Sequence, residues 1–195
     1  MTITREQFAE GLDTETYLAE KVEANRDRFL QNLSEFELTD EDKAFFAEHP
    51  VSIAAFGEDW CTDVVQFLPV VMKLAQEAPN VDLRIFERDD NVELMTPYLK
   101  EGKYQSIPVF VVMDDQWNEM GHFIERPAAV TQKMAEETVR FAKENPQLEG
   151  ANRSYENMPE ETRTAVRANS SSFRWSNAAE WNRIFVDELK SMVTS

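Results

Sequence analysis

Apolar positions change their spacing along this chain, and each change marks a different kind of element. Over residues 4–50, Leu18, Val22, Phe29, Leu30 and Leu33 recur at intervals of three, four or seven with Glu, Lys and Arg elsewhere. That is the period of helices burying one face. Asp13 or Thr14 is placed to cap a long second helix, and Thr39 with Asp42 three residues on predicts a cap before a third, which Pro50 ends. At 52–56 the helical period gives way to a short continuous apolar run, read as a buried strand. A helix over about 62–78 and a second strand over 81–87 complete a βαβ unit.

Beyond that unit the pattern predicts a helix over about 92–101, with Gly102 suited to its C-terminal cap. The runs VFVVM and WNEMGHFI then flank Asp114, Asp115 and Gln116 as a β-hairpin, and a helix follows over 128–144. Residues 145–152 shift to Pro, Gln, Gly and Asn and mark a connector. Two helices are expected after it: EETRTAVRAN, weakly amphipathic, and a last one carrying Trp181, Ile184, Phe185, Leu189 and Met192 after a cap near Ser176, with the serines at 170–172 as a loop between them. The division is a helical N-terminal extension (1–50), an α/β core (51–145) and a helical C-terminal extension (146–195) packed on the core.

The stretch 51–74, VSIAAFGEDWCTDVVQFLPVVMKL, joins strand to helix through an acidic turn and puts the chain's one cysteine, Cys61, at the helix N-terminus. Unpaired amide N–H groups and the positive end of the helix dipole favour thiolate there. Glu58, Asp59 and Asp63 flank the thiol and oppose it, although Asp63 suits a first helical turn. Pro69 interrupts the helix's own hydrogen bonding, a cost of ~3 kcal/mol that packing must offset.

Charge and composition narrow the field of partners. The formal charge is −17, from 37 acidic and 20 basic residues, so no basic footprint for nucleic acid or an anionic membrane is expected. No run of about 18 apolar residues occurs, and MTITREQFAEGL lacks the apolar centre of a signal peptide, so a reducing cytoplasm is the expected address. A hydrophobic share of 42% with 13 Phe and 4 Trp predicts a substantial core, while only 5 Gly argue against a turn-rich β protein. His49 and His122 with one cysteine build no metal-ligand set, and neither metal nor cofactor is expected.

Taken in order, the strand, the Trp-Cys pair at a helix start, the second strand, the helix, the Ile-Pro pair, the hairpin and the last helix resemble the thioredoxin superfamily over about 50–145. Trp60 precedes Cys61, Pro69 lies eight residues beyond the cysteine, Pro108 opens a strand where that family places a cis-proline, and GHFIERP is similar to its exit into the last helix. The resemblance implies an α/β, thioredoxin-like fold: a central mixed four-stranded sheet flanked by helices. It also implies Cys61 as nucleophile, with Trp60 shaping access and Ile107 and Pro108 walling a groove where an extended peptide pairs.

Two departures qualify that reading. The family's redox motif is Cys-x-x-Cys, whereas this chain reads Cys61, Thr62, Asp63, Val64, and Ala55 stands where the family places a buried acid. A dithiol mechanism within one chain is impossible. What the resemblance still implies is monothiol exchange: Cys61 attacks a protein disulfide or sulfenic acid, or accepts a low-molecular-weight thiol, and an external thiol resolves the mixed disulfide. The motif Cys-Gly-Phe-Ser of monothiol glutaredoxins is absent, so their glutathione and iron–sulfur roles are not implied. The alternative is a redox-inactive thioredoxin-fold module that binds a protein partner.

Overall fold

Capping chemistry divides the N-terminal segment into four helices where periodicity predicted three. In the computed structural model, which describes residues 3–194, α1 (Arg5–Ala9) starts at a Thr4–Gln7 capping box and α2 (Thr14–Glu20) at Asp13, whose carboxylate accepts the Thr16 amide. α3 (Arg26–Glu35) and α4 (Asp40–Glu48) follow, the latter from a Thr39–Asp42 capping box. The long second helix divides because the amides of Glu23 and Ala24 donate to Asp59 Oδ2, both at 2.6 Å, instead of continuing the helical ladder.

The described chain forms two compact units, Met1–Arg126 with Asn182–Ser195, and Pro127–Trp181. The first holds a mixed four-stranded sheet of β1 (Val51–Phe56), β2 (Val81–Phe86), β3 (Val109–Met113) and β4 (Glu119–Ile124) in the order β2-β1-β3-β4. β1 and β2 run parallel because α5 (Thr62–Glu77) carries the chain from one to the other, while β3 and β4 form an antiparallel hairpin beside β1. Leu12 exchanges both backbone hydrogen bonds with Ile85, at 2.9 and 2.8 Å, and so covers part of the exposed edge of β2.

Eleven of the sixteen residues of α5 are buried, too many for one apolar stripe, so the helix needs cover beyond the sheet. On one side lies α3. On another, Phe185 of α9 (Ala178–Val193) meets Phe67 of α5, Phe110 of β3 and Phe123 of β4 at ring distances of 5.2, 5.2 and 4.9 Å. Pro69 has no N–H for the carbonyl of Val65, its i−4 acceptor. The buried Asn32 of α3 supplies the missing donor, its Nδ2 lying 2.7 Å from Val65 O.

Two predicted segments take another form. The helix expected to reach about residue 101 is only α6 (Val92–Met95), because Pro97 offers no N–H to continue the ladder. Successive i→i−3 turns replace it (Tyr98 N to Met95 O, 2.8 Å; Gly102 N to Leu99 O, 3.0 Å), and Gly102, at φ +67°, serves a turn rather than a helix end. In the second unit, α7 (Ala128–Glu144) precedes a short 3₁₀ turn (Tyr155–Asn157) and α8 (Glu160–Ser176). α8 runs straight through the three serines expected as a loop. Ser176, its last residue, donates its hydroxyl back to Ser172 O.

The acidic run over 35–42 is solvated only in part. Asp42 is buried and accepts from Thr39 N at 3.0 Å, Arg183 Nη1 at 2.8 Å and Lys190 Nζ at 3.3 Å, tying α4 to α9. Burial works against its charge, but the Thr39 hydrogen bonds and the Arg183 cation outweigh it and hold the carboxyl below its ordinary pKa. Among the described residues no helix is long and apolar enough to cross a membrane.

Asn32→Leu is expected to destabilise the protein by about 1–3 kcal/mol, the usual cost of stranding a buried carbonyl, measured by urea unfolding. Pro69→Ala restores the helical donor and lessens that loss, so a double-mutant cycle shows coupling between the two sites. Asp42 has a lowered folded pKa, so its stabilisation is complete above the unfolded carboxyl's value and is lost as pH falls through the folded one. Asp42→Asn therefore destabilises at neutral pH, with the difference from wild type closing in acid, as thermal unfolding across pH 2–7 checks.

Candidate functional site

Chain direction at the end of β1 is set by a close approach. A Cβ built on Gly57 would lie 2.8 Å from Val64 Cγ2, so the turn leaving the strand packs against the first turn of α5 only with glycine there. Glu58, Asp59 and Trp60 follow, with the Cys61 amide closing the turn on Glu58 O at 3.1 Å. Cys61 is the N-cap of α5, extended at φ −82° and ψ 122°, and its carbonyl accepts the Val65 amide at 2.9 Å. The half-buried thiol donates to the carbonyl of Ile107, S···O 3.5 Å, and the Ile107–Pro108 peptide is cis. The structure thus brings Cys61, Ile107 and Pro108 together.

Trp60 is 52% exposed beside the thiol, and the Arg88 guanidinium lies 5.2 Å from its ring. Thr62 is exposed, and Val64, where the family's second thiol would stand, is fully buried against Gly57. Ala55 is buried in the sheet, in register with Ile85 and Phe110. Neither position carries a titratable group.

Each of the three acids flanking the thiol is engaged elsewhere. Asp59 accepts the Glu23 and Ala24 amides, Glu58 accepts the Asp89 amide at 3.0 Å, and Asp63 pairs with Arg126 at 2.5 Å with both side chains mostly buried. Burial raises the Glu58 pKa; the Asp89 amide opposes the shift, and the charges of Asp89 and Glu87 add to it. The opposition between local acids and helix dipole expected from the sequence is therefore softened where the acids meet donors.

Arg126 was not singled out from the sequence, since a basic residue before the proline that precedes α7 does not announce which carboxylate it meets. Its neighbour Glu125, at φ +68°, donates its amide to Pro108 O at 2.8 Å and pairs with Lys100 at 2.6 Å. The same loop therefore braces the cis-proline and delivers the guanidinium to α5. Tyr17 was also missed. Its side chain is fully buried, its hydroxyl has no hydrogen-bond partner among the described residues, and burial, with the nearby charges of Glu58, Asp59, Glu87 and Cys61, holds its pKa well above the ordinary tyrosine value. No sequence pattern marks a lone tyrosine on a short helix for that role.

Neither histidine joins the thiol. His49 Nδ1 lies 2.8 Å from Phe45 O and His122 Nδ1 2.9 Å from Glu119 Oε1, and among the described residues no group of three or more His, Cys, Asp or Glu is placed to hold a metal.

The sheet order, the crossover through α5 and the cis-proline opposite its N-terminus define a thioredoxin-like fold. A family model described as thioredoxin matches residues 11–143, and the chain belongs to that family. Among solved structures, a protein of unknown function from Pseudomonas aeruginosa aligns over 90% of this chain and 99% of its own, at 17% identity and a TM-score of 0.59. An HIV epitope-scaffold aligns over 97% and 96%, at 16% identity and a TM-score of 0.61. None of the curated proteins matches the chain. At these identities the likeness concerns the fold.

Arg126→Ala is expected to remove the guanidinium paired with Asp63 in the first turn of α5 and to slow alkylation of Cys61 at neutral pH by about fivefold, the effect of ~1 kcal/mol of partly screened repulsion. Adding Asp63→Asn restores the rate. Iodoacetamide kinetics on the three proteins check both steps.

Proposed function

We propose that this protein exchanges thiols and disulfides by a monothiol mechanism through Cys61. The supporting observation is the half-buried thiol at the N-terminus of α5, 3.5 Å from the carbonyl of Ile107 and beside the exposed Trp60. In the reaction the Cys61 thiolate attacks one sulfur of a partner disulfide, a new S–S bond forms, and the partner's other sulfur leaves as thiolate and takes up a proton. Cys61 ends oxidised in a mixed disulfide and the partner half-reduced. With Val64 in place of a second thiol, an external low-molecular-weight or protein thiol completes the exchange. Ile107 and Pro108 offer the backbone edge on which an extended segment pairs, and Trp60 covers its side chains.

A second reading, a thioredoxin-fold module that binds a partner without chemistry, is favoured by Val64 and Ala55, which remove both aids to turnover. Alkylation kinetics separate the two. The thiol reading expects Cys61 at pH 7 to react with iodoacetamide faster than the cysteine of an unfolded peptide. A rate at or below that of the peptide, with partner capture undiminished in Cys61→Ser, overturns it in favour of the binding module.

A further inference from the structure

The rim around Cys61 is closed by contacts that bring apolar and acidic groups side by side. Trp60 is held by Arg88, Asp89 is tied through its amide to Glu58, and Val92 is tied through its carbonyl to Gln105, 3.5 Å away on the loop that leads to Ile107 and Pro108. Three large apolar side chains stand exposed on these segments: Trp60, Val92 at 42% and Tyr104 at 52%. Each leaves apolar surface in water that a partner side chain could cover.

The charge beside them is acidic in balance, with Arg88 against Trp60 and Lys103 near Tyr104 as cations. Asp89, Asp90 and Glu93 are exposed on the segment joining β2 to α6; Arg88 is paired with Asp89 at 2.6 Å and stacked on Trp60, and Lys21 is paired with Glu87. Next to Val92 a cleft of about 370 Å³ is lined by Glu10, Asp89, Asp90, Glu93, Gln7 and Asn91, side chains that all offer hydrogen-bond acceptors. On the far side of the thiol, Lys100 pairs with Glu125 and Arg126 with Asp63. Lys103 stands near Tyr104, 5.5 Å from the ring.

We propose that this face selects a basic protein segment, whose apolar residue rests on Trp60 and Val92 while a Lys or Arg side chain enters the cleft between α1 and α6. The inference rests on the thiol reading for its chemistry, in which the captured segment carries the disulfide that Cys61 attacks. Complementary charge of this kind acts mainly on encounter and partner choice, and salt screens it.

The test uses two peptides of equal length, each bearing one cysteine as a mixed disulfide with thionitrobenzoate and differing only in flanking Lys or Glu. Attack by Cys61 joins the peptide to the protein and releases one coloured thionitrobenzoate. After division by each peptide's rate with free cysteine, the Lys peptide is expected to react about tenfold faster in low salt, with the ratio falling toward one near 1 M, where the screening length is about 3 Å. Asp90→Lys with Glu93→Lys is expected to remove or reverse the preference. Equal rates for the two peptides, or a preference that this variant leaves intact, overturn the proposal. In parallel, fluorescence anisotropy with Cys61→Ser and unreactive, labelled Lys and Glu peptides measures the same preference without chemistry. If Cys61 attacks neither peptide, the thiol reading fails, and tighter binding of the Lys peptide by Cys61→Ser sustains this inference while equal binding overturns it.

Discussion

A helix with almost no solvent face has to be enclosed, and that requirement on α5 shapes the unit that holds the thiol. From Asp63 to Met72 every residue is buried, so the sheet covers only part of the surface. α3 and α9 complete the enclosure, which gives the helical additions at both ends of the chain a physical reason. Burial of this extent contributes on the order of 1.5–3 kcal/mol for each large aliphatic or aromatic side chain. It also makes the helix's one backbone defect expensive, and Asn32, arriving from a different helix, is the repair. A rigid, enclosed α5 fixes where its first turn begins, and the thiol sits at that beginning.

Charge at the site is distributed by backbone geometry more than by proximity in sequence. Three carboxylates lie within three residues of Cys61, yet two accept backbone amides from distant segments and the third meets a guanidinium from the loop that also braces Pro108. Exposed carboxylates, Asp89, Asp90 and Glu93, lie on the segment between β2 and α6. Acidity near the sulfur is thus compensated, while acidity at the rim remains available to a partner.

Much of this fold is legible in the sequence because its causes are local. The apolar run of β1, the period of α7 over 128–144 and the Thr39–Asp42 cap each carry their own signal within a few residues. The failures have causes that lie elsewhere in space or in competition. The break after α2 needs Asp59, thirty-five residues away from Ala24; the shortness of α6 comes from one proline overriding a helical pattern; and α8 carries its helical period through three serines whose composition reads as a loop. At the site, the placement of Cys61 at a helix start follows from the strand-turn-helix pattern. Arg126 and Tyr17 do not follow, because their relevance is created only when the loop after β4 brings Arg126 to Asp63 and the fold buries Tyr17 near Glu58 and Asp59.

Val64, sealed against Gly57, has a consequence in time. In a chain whose neighbouring thiol displaces a bound partner, a covalent adduct clears at a rate set inside the molecule. Here the chain itself offers no such exit, so an adduct on Cys61 whose partner carries no second thiol of its own would persist until a thiol from solution reached it. Its lifetime would then lengthen as the surrounding pool of reduced thiol runs down, and the occupied fraction of the protein would register the state of that pool.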